Sequence, residues 1–324
     1  MKAVQFQNYG SPDVLQVVDL PLPQIKLGEV LVQVKAAGVN FADTARRYGQ
    51  YLAKTPLPYI PGFEVAGEIV EVSSDVTDFK VGDRVVALPE CGGYAEYIAL
   101  HASQLIRIPD HVDFNQAAAL LGQGLSAYHI LKTSARMSAG DTVLIHAAAG
   151  GVGTLAVQLA KLWGAGTIIA TASSSEKLDL ATSLGADIGI NYTEESWHKE
   201  VLANTDGKGV DILLEMVGGD IFQKSVTCMA TNGRLVIYGR AGGQETLFDP
   251  AILMYRNVSI IGFWLVHFVS NPTLHKTGVE ALLNYVAEGK LKLVIGESFP
   301  LEEAKRAHEL LEGRQTTGKI ILNP

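Results

Sequence analysis

An α/β protein of two units is predicted, one β-rich and the other a doubly wound parallel sheet. Three observations carry this. The chain has 324 residues, more than one ordinary core requires. Residues 1–110 read as short runs rich in Val, Ile and Tyr, punctuated by Gly and Pro. From about residue 115 apolar strands alternate with helical stretches, the pattern of a sheet covered by helices.

In the first stretch the predicted strands are 29–39, 65–72, 83–88 and 94–100. Turn signals separate them: Leu27-Gly28, Val81-Gly82-Asp83 and Gly92-Gly93. An Ala-rich helical stretch over 115–121 leads to a strand over 142–147 and an amphipathic helix over 152–163. Strands follow at 167–171, 187–191, 210–216, 234–238 and 258–262, with helices at 176–184 and 195–203. These strands are apolar without alternation, as they are when helices bury both faces. A helix over 273–287 stops at Gly289, another over 301–311 stops at Gly313, and a strand over 319–322 comes last. That tail is too short for a third domain, so it is expected to pack on one of the other two.

Hydrophobic residues make up 48% and charged residues 19%, a composition that folds compactly. The formal charge of −8 argues against nucleic acid as a partner, because phosphate binding needs clustered Lys and Arg. Arg46-Arg47 is the nearest candidate and reads as a solvated pair. No run approaches the roughly 18 apolar residues of a membrane span, and MKAVQFQNYG has no apolar signal core, so a cytoplasmic location off the membrane is expected. Cys91 and Cys228 lie far apart without metal-ligand spacing and read as free thiols of a reducing compartment.

The chemistry-bearing motif is Ala148-Ala149-Gly150-Gly151-Val152-Gly153, directly between a predicted strand and a predicted helix. Strand, tight turn and helix in that order suit a dinucleotide. Gly150 lets the backbone approach a diphosphate, Gly153 lets helix and strand pack closely, and the helix N-terminus offers N–H groups. No Lys follows within the loop, which excludes a mononucleotide P-loop. About 20 residues on, where a carboxylate would hold the ribose of NAD, stands Ala172-Ser173-Ser174-Ser175 instead. Hydroxyls with Lys177 one turn into the helix suit a 2'-phosphate, so NADPH is the expected cofactor. Ser174 or Ser175 reads equally as the helix N-cap, and one hydroxyl can do both.

This arrangement resembles the medium-chain dehydrogenase/reductase superfamily and, within it, the zinc-independent quinone oxidoreductases. Further carriers are Gly38-Val39-Asn40-Phe41-Ala42-Asp43, Pro61-Gly62-Phe63-Glu64-Val65-Ala66-Gly67, Gly82-Asp83-Arg84-Val85, Ile190-Asn191-Tyr192 and Arg306-Ala307-His308. The resemblance implies a GroES-like catalytic domain from residues 1–120 and 264–324, and a Rossmann domain over 121–263 with NADPH in the cleft. It implies a homodimer joined through the strand at 258–262. It places Asn40 near the nicotinamide ribose, Ser126 near the phosphates or nicotinamide, and Ala149, Gly150, Gly151 and Val152 at the diphosphate. Ser173, Lys177 and Tyr192 are expected at the 2'-phosphate with Arg314 near that end; Val217, Gly239, Phe263 and Leu265 are expected to line the nicotinamide pocket. Tyr192 also reads as a core aromatic, and Arg314 as a solvated helix-end cation.

Zinc members of that superfamily carry ligands where this chain has Asn40-Phe41, Phe63 and the region of Gln123. Only residues 87–92 separate Val86 from Gly93, too few for a structural zinc lobe. No metal site is expected. Without a Lewis acid the acceptor must already be electrophilic, which points to a small quinone or enone. Asn40, Asp43 and Tyr51 are the pocket candidates, Tyr51 as oxyanion donor or positioning group, with solvent able to supply the proton. A 2-alkenal or enone double-bond reductase and a non-enzymatic NADPH-binding structural or regulatory protein are the competing readings.

Overall fold

The computed structural model describes residues 1–324. In chain order its regular elements begin with β1 (Lys2–Gln5), β2 (Gln16–Asp19), β3 (Glu29–Val39), α1 (Phe41–Arg47), β4 (Val65–Val72), β5 (Arg84–Ala87), β6 (Tyr97–His101), β7 (Ile106–Arg107) and α2 (Phe114–Ala117). Then come α3 (Leu121–His129), β8 (Thr142–Ile145), α4 (Gly151–Leu162), β9 (Thr167–Ala172), α5 (Ser175–Ser183), β10 (Ile188–Asn191), α6 (Trp197–Ala203), β11 (Val210–Glu215), α7 (Gly219–Thr227), β12 (Met229–Ile237) and β13 (Ser259–Gly262). The chain closes with α8 (Val266–Val269), α9 (Pro272–Ala287), β14 (Ile295–Pro300), α10 (Ala304–Glu312) and β15 (Lys319–Asn323). Packing divides it into two compact units, Met1–Gly122 with Leu293–Pro324, and Gln123–Lys292.

The first unit is built on a seven-stranded sheet ordered β14-β15-β3-β4-β5-β7, with β6 also paired to β3. Along β3 the valines 30, 32 and 34 recur at the strand's period of two and meet Ile69, Val85, Leu100 and Phe299 in one core. The C-terminal strand β15 runs antiparallel to β3, bringing Ile321 opposite Gly38.

The second unit carries six parallel strands ordered β10-β9-β8-β11-β12-β13. Numbered from β8, that order is three-two-one-four-five-six, the doubly wound arrangement whose direction reverses between its first and fourth strands. Leu144, Ile169, Leu213 and Leu235, one from each of four strands, share a core with Trp197 and Phe222.

Residues 264–292, expected with the β-rich domain, pack in this second unit instead. Gly278 of α9 lets the helix press on α3: a Cβ there would stand 2.7 Å from Leu125 Cδ2. Trp163 Nε1 donates to the Tyr285 hydroxyl at 3.2 Å, and Gln158 exchanges hydrogen bonds of 3.0 and 2.7 Å with the Lys292 backbone. These contacts outweigh the sequence proximity of α9 to the final strands. No helix is long and apolar enough to cross a membrane.

Candidate functional site

Because all six strands of the second unit run parallel, their carboxyl ends share one edge of the sheet. Nearly every cofactor residue expected in this unit lies just past one of those ends. Ala149, Gly150, Gly151 and Val152 follow β8, Ser173 follows β9, Tyr192 follows β10, Val217 follows β11, Gly239 follows β12, and Phe263 and Leu265 follow β13. Ligands of open α/β sheets bind at that edge, at the point where strand order reverses. That point is the gap between β8 and β11, where the glycine loop sits.

The loop is built for a close approach. Ala147 holds a left-handed φ of 49°, a conformation L-residues avoid unless the surroundings impose it. Gly150 N then donates to the Ala147 carbonyl at 2.9 Å, closing the turn. A Cβ on Gly153 would run into the Ala147 carbonyl and the Ala148 backbone, so only glycine lets α4 abut the strand end. A Cβ on Gly150 would meet nothing nearer than the Ala147 oxygen at 3.2 Å. Beyond that one oxygen the side of Gly150 is open. Gly150 is also the N-cap of α4 and supplies no side-chain cap, so the dipole end of a twelve-residue helix faces that open side. A diphosphate fits these features. Gln123 of α3 lies against Gly151, and Ser126, one turn further along α3, is buried in the same unit.

At the second strand end Ser174 is the N-cap of α5, its hydroxyl accepting from Lys177 N at 3.4 Å. The capping role and a hydroxyl-lined edge coexist. Tyr192 N donates to the Ala172 carbonyl at 3.1 Å, which fixes Tyr192 beside Ser173. The Tyr192 ring also packs on the core cluster and meets His146 edge-on, so it serves the fold as well.

Glu215, which sequence reasoning missed, organises the third region. Its Oε1 accepts from Val217 N at 2.6 Å and Gly218 N at 2.9 Å, and its Oε2 from the Ser225 hydroxyl at 3.1 Å. His146 bonds Ser225 and Thr171 through its two ring nitrogens, and burial lowers its pKa. The buried carboxylate thereby links the end of β8 to the Val217 turn. Phe263 stacks on Phe268 at 4.8 Å between ring centroids, and Phe268 stacks in turn on His129.

In the first unit Asn40 ends β3 and caps α1. Lys319 Nζ donates to Asn40 Oδ1 at 2.8 Å and to Glu64 Oε2 at 2.7 Å, while Asn40 Nδ2 donates to the Gly38 carbonyl. Glu64 Oε1 accepts from Gly122 N at 2.7 Å. A Cβ on Gly38 would lie 2.5 Å from Lys319 Cε, so that glycine makes room for the lysine. Lys319 was invisible in the sequence because its partners lie some 255 and 279 positions away.

Asp43, expected in the substrate pocket, is buried in the scaffold. Its carboxylate accepts from Asn40 N, Gly62 N and the Tyr94 hydroxyl, and burial raises its pKa to about 6. It shapes the Asn40 corner and is not presented to a ligand. Arg46-Arg47, read as solvated, are both buried because α1 packs against α10. Arg47 reaches Gly10 O, His308 Nδ1 and Glu312. The guanidinium only donates, so His308 Nδ1 accepts and Nε2–H faces the Tyr94 oxygen at 3.2 Å. Burial and Arg47 hold His308 at about 3. Tyr51 is half-buried with the Arg46 guanidinium 4.3 Å from its ring centroid. Arg314 stands exposed beyond α10 with φ 55°. No group of three or more His, Cys, Asp or Glu side chains could hold a metal ion.

The family model of the alcohol dehydrogenase GroES-like domain matches residues 26–110, and that of the zinc-binding dehydrogenases matches 151–285. Quinone oxidoreductase of Pseudomonas aeruginosa is 38% identical over 100% of this chain and 99% of its own. The 2-haloacrylate reductase of a Burkholderia species is 36% identical, covering 99% and 98%. The crystal structure of Escherichia coli quinone oxidoreductase complexed with NADPH superposes with a TM-score of 0.94 at 33% identity, covering 100% of both chains. The chain belongs to the quinone oxidoreductases of the medium-chain dehydrogenase/reductase superfamily.

Proposed function

We propose that this protein is an NADPH-dependent reductase that transfers a hydride to a quinone or a similar conjugated carbonyl compound, without zinc. The convergence of the expected cofactor residues on the carboxyl edge of one parallel sheet carries the reading, and the E. coli relative complexed with NADPH supports the cofactor. When bound, NADPH supplies the hydride. The amides of Gly150, Gly151 and Val152 hold the diphosphate, Ser173, Lys177 and Tyr192 the 2'-phosphate, and Val217, Gly239, Phe263 and Leu265 flank the nicotinamide. In the first unit Asn40 is our candidate for the nicotinamide ribose. Tyr51 positions the acceptor, and its hydroxyl or a solvent proton meets the oxyanion that develops. We read the second unit as the cofactor domain, the first as the catalytic domain, and the protein as a cytoplasmic homodimer.

Loss of NADPH absorbance in stopped flow with a panel of quinones tests the reading; saturable NADPH binding with no turnover on any acceptor would sink it. Lys177→Ala should raise KM for NADPH far more than for NADH, whereas equal effects would make Lys177 mere surface charge. The 2-haloacrylate reductase relative favours a second reading, addition to an activated carbon–carbon double bond. Product identification with a 2-alkenal separates the two.

A further inference from the structure

Arg46 and Arg47 are neighbours on one helix and both buried, yet only Arg47 is fully met by acceptors. The Arg46 side chain is 7% exposed, and its polar contacts are long: Thr55 Oγ1 at 3.5 Å and Glu90 Oε1 at 3.9 Å. Glu90 itself is 79% exposed and free to swing away. What holds the guanidinium is aromatic: Cζ lies 4.3 Å from the Tyr51 ring centroid and 5.4 Å from that of Tyr59. Tyr59 is fixed in turn by its hydroxyl, which donates to the Glu90 carbonyl at 3.3 Å. Ring faces fix the guanidinium without using its N–H groups, which point outward in its plane. A cation so enclosed is ordinarily matched by a short, bidentate carboxylate. Here that partner is missing and a weak, displaceable one stands at its edge.

We propose that Arg46 is a specificity residue that receives an anionic substituent of the acceptor, a carboxylate or sulfonate that displaces Glu90. The inference rests on the reading that Tyr51 positions the acceptor. Preferred substrates are then conjugated carbonyl compounds bearing a negative charge away from the reacting carbon. No bond to the anionic group is made or broken; it only orients the molecule on Tyr51.

Naphthoquinone and naphthoquinone sulfonate, compared with NADPH as donor, test this. Arg46→Gln should lower kcat/KM for the sulfonate by about ten- to a hundredfold more than for the neutral quinone, the worth of a charge-assisted hydrogen bond. Arg46→Lys keeps the charge and should retain much of the preference if Arg46→Gln folds poorly. Glu90→Gln, on the surface, should raise sulfonate activity by about two- to fivefold by removing the competing carboxylate. Equal losses on both quinones in Arg46→Gln, or no gain in Glu90→Gln, would overturn the proposal. Calorimetric titration of naphthalene sulfonate, which cannot be reduced, reads the anion site without turnover. Binding that weakens in Arg46→Gln supports the anion site; if no quinone is reduced either, the reductase reading fails and the anion site alone stands, whereas equal affinity in both proteins overturns the proposal.

Discussion

Replacing Lys319 by Met removes both the charge opposite Glu64 and the donor to Asn40 Oδ1. The Lys319 side chain is 3% exposed and that of Glu64 0%, so water cannot take the place of either partner. Deleting one member of such a pair leaves a buried, uncompensated carboxylate and is expected to destabilise by about 3–5 kcal/mol. For a unit of roughly 150 residues each kcal/mol moves Tm by about 2–4 °C, so the transition of the first unit should fall by about 6–20 °C. Adding Glu64→Gln removes the stranded charge while an amide oxygen can still accept from Gly122 N. The double variant should regain at least half of the loss, which makes the pair a thermodynamic cycle readable by scanning calorimetry. If the double variant is no more stable than Lys319→Met, the loss does not come from a stranded charge and the reasoning is refuted. Function should part from stability: on our reading that Asn40 meets the nicotinamide ribose, it loses its bond to Lys319 in both variants, so KM for NADPH should stay raised in the double variant although stability recovers.

Two glycines of the loop should separate folding from binding. Gly153→Ala should destabilise the second unit by about 1–3 kcal/mol, because its Cβ meets backbone that cannot retreat. Gly150→Ala should cost clearly less Tm than Gly153→Ala, because its Cβ meets only the Ala147 oxygen at 3.2 Å, yet weaken NADPH binding at least about tenfold; a Tm loss equal to that of Gly153→Ala would contradict this. Acid stability offers a third test. His308 is held at about 3 against 6.5 in the unfolded chain, so its contribution is present above 6.5 and is lost as pH falls toward 3. His308→Gln never charges, and its stability should fall less steeply in that window, by up to about 1.4 kcal/mol per pH unit. Asp43, raised to about 6, acts in the opposite sense, losing stability as pH rises from about 4 to 6. Parallel acid-unfolding curves for the two proteins would show that His308 takes up no proton on unfolding.

Much of the second unit was legible because its signals are local. The apolar run before Ala148, the glycines and the amphipathic helix after them lie within some twenty residues, and strand order then follows from short right-handed crossovers. The positions of Ser173 just past β9 and of Lys177 in the first turn of α5 were readable for the same reason. In the first unit the decisive contacts are distant in sequence. Nothing near Lys319 distinguishes it from the solvated lysines, and nothing near Arg46 shows that Tyr51 and Tyr59 will enclose it. Asp43 was misjudged because a carboxylate beside Asn40 looks like chemistry until Gly62 N and Tyr94 claim its oxygens. The long α9 was placed with the β-rich domain by the family resemblance, although Gly278 was the sign of a helix that lies close against another.

The position of β15 between β14 and β3 has a consequence for how the chain is made. The second unit is one continuous stretch and can complete its sheet as soon as β13 has left the ribosome. The first cannot: between Gly122 and Lys319 lie roughly 200 residues, a wait of about 10–40 s at ordinary rates of synthesis. During that time residues 37–39 of β3 lack the neighbour that β15 becomes, although β6 already covers 29–33, and Glu64 lacks the cation that neutralises it. Nascent chains of this protein therefore pass through a stage in which a finished domain follows an unfinished one, and that open β3 edge is where a chaperone, or a second nascent chain, would find purchase.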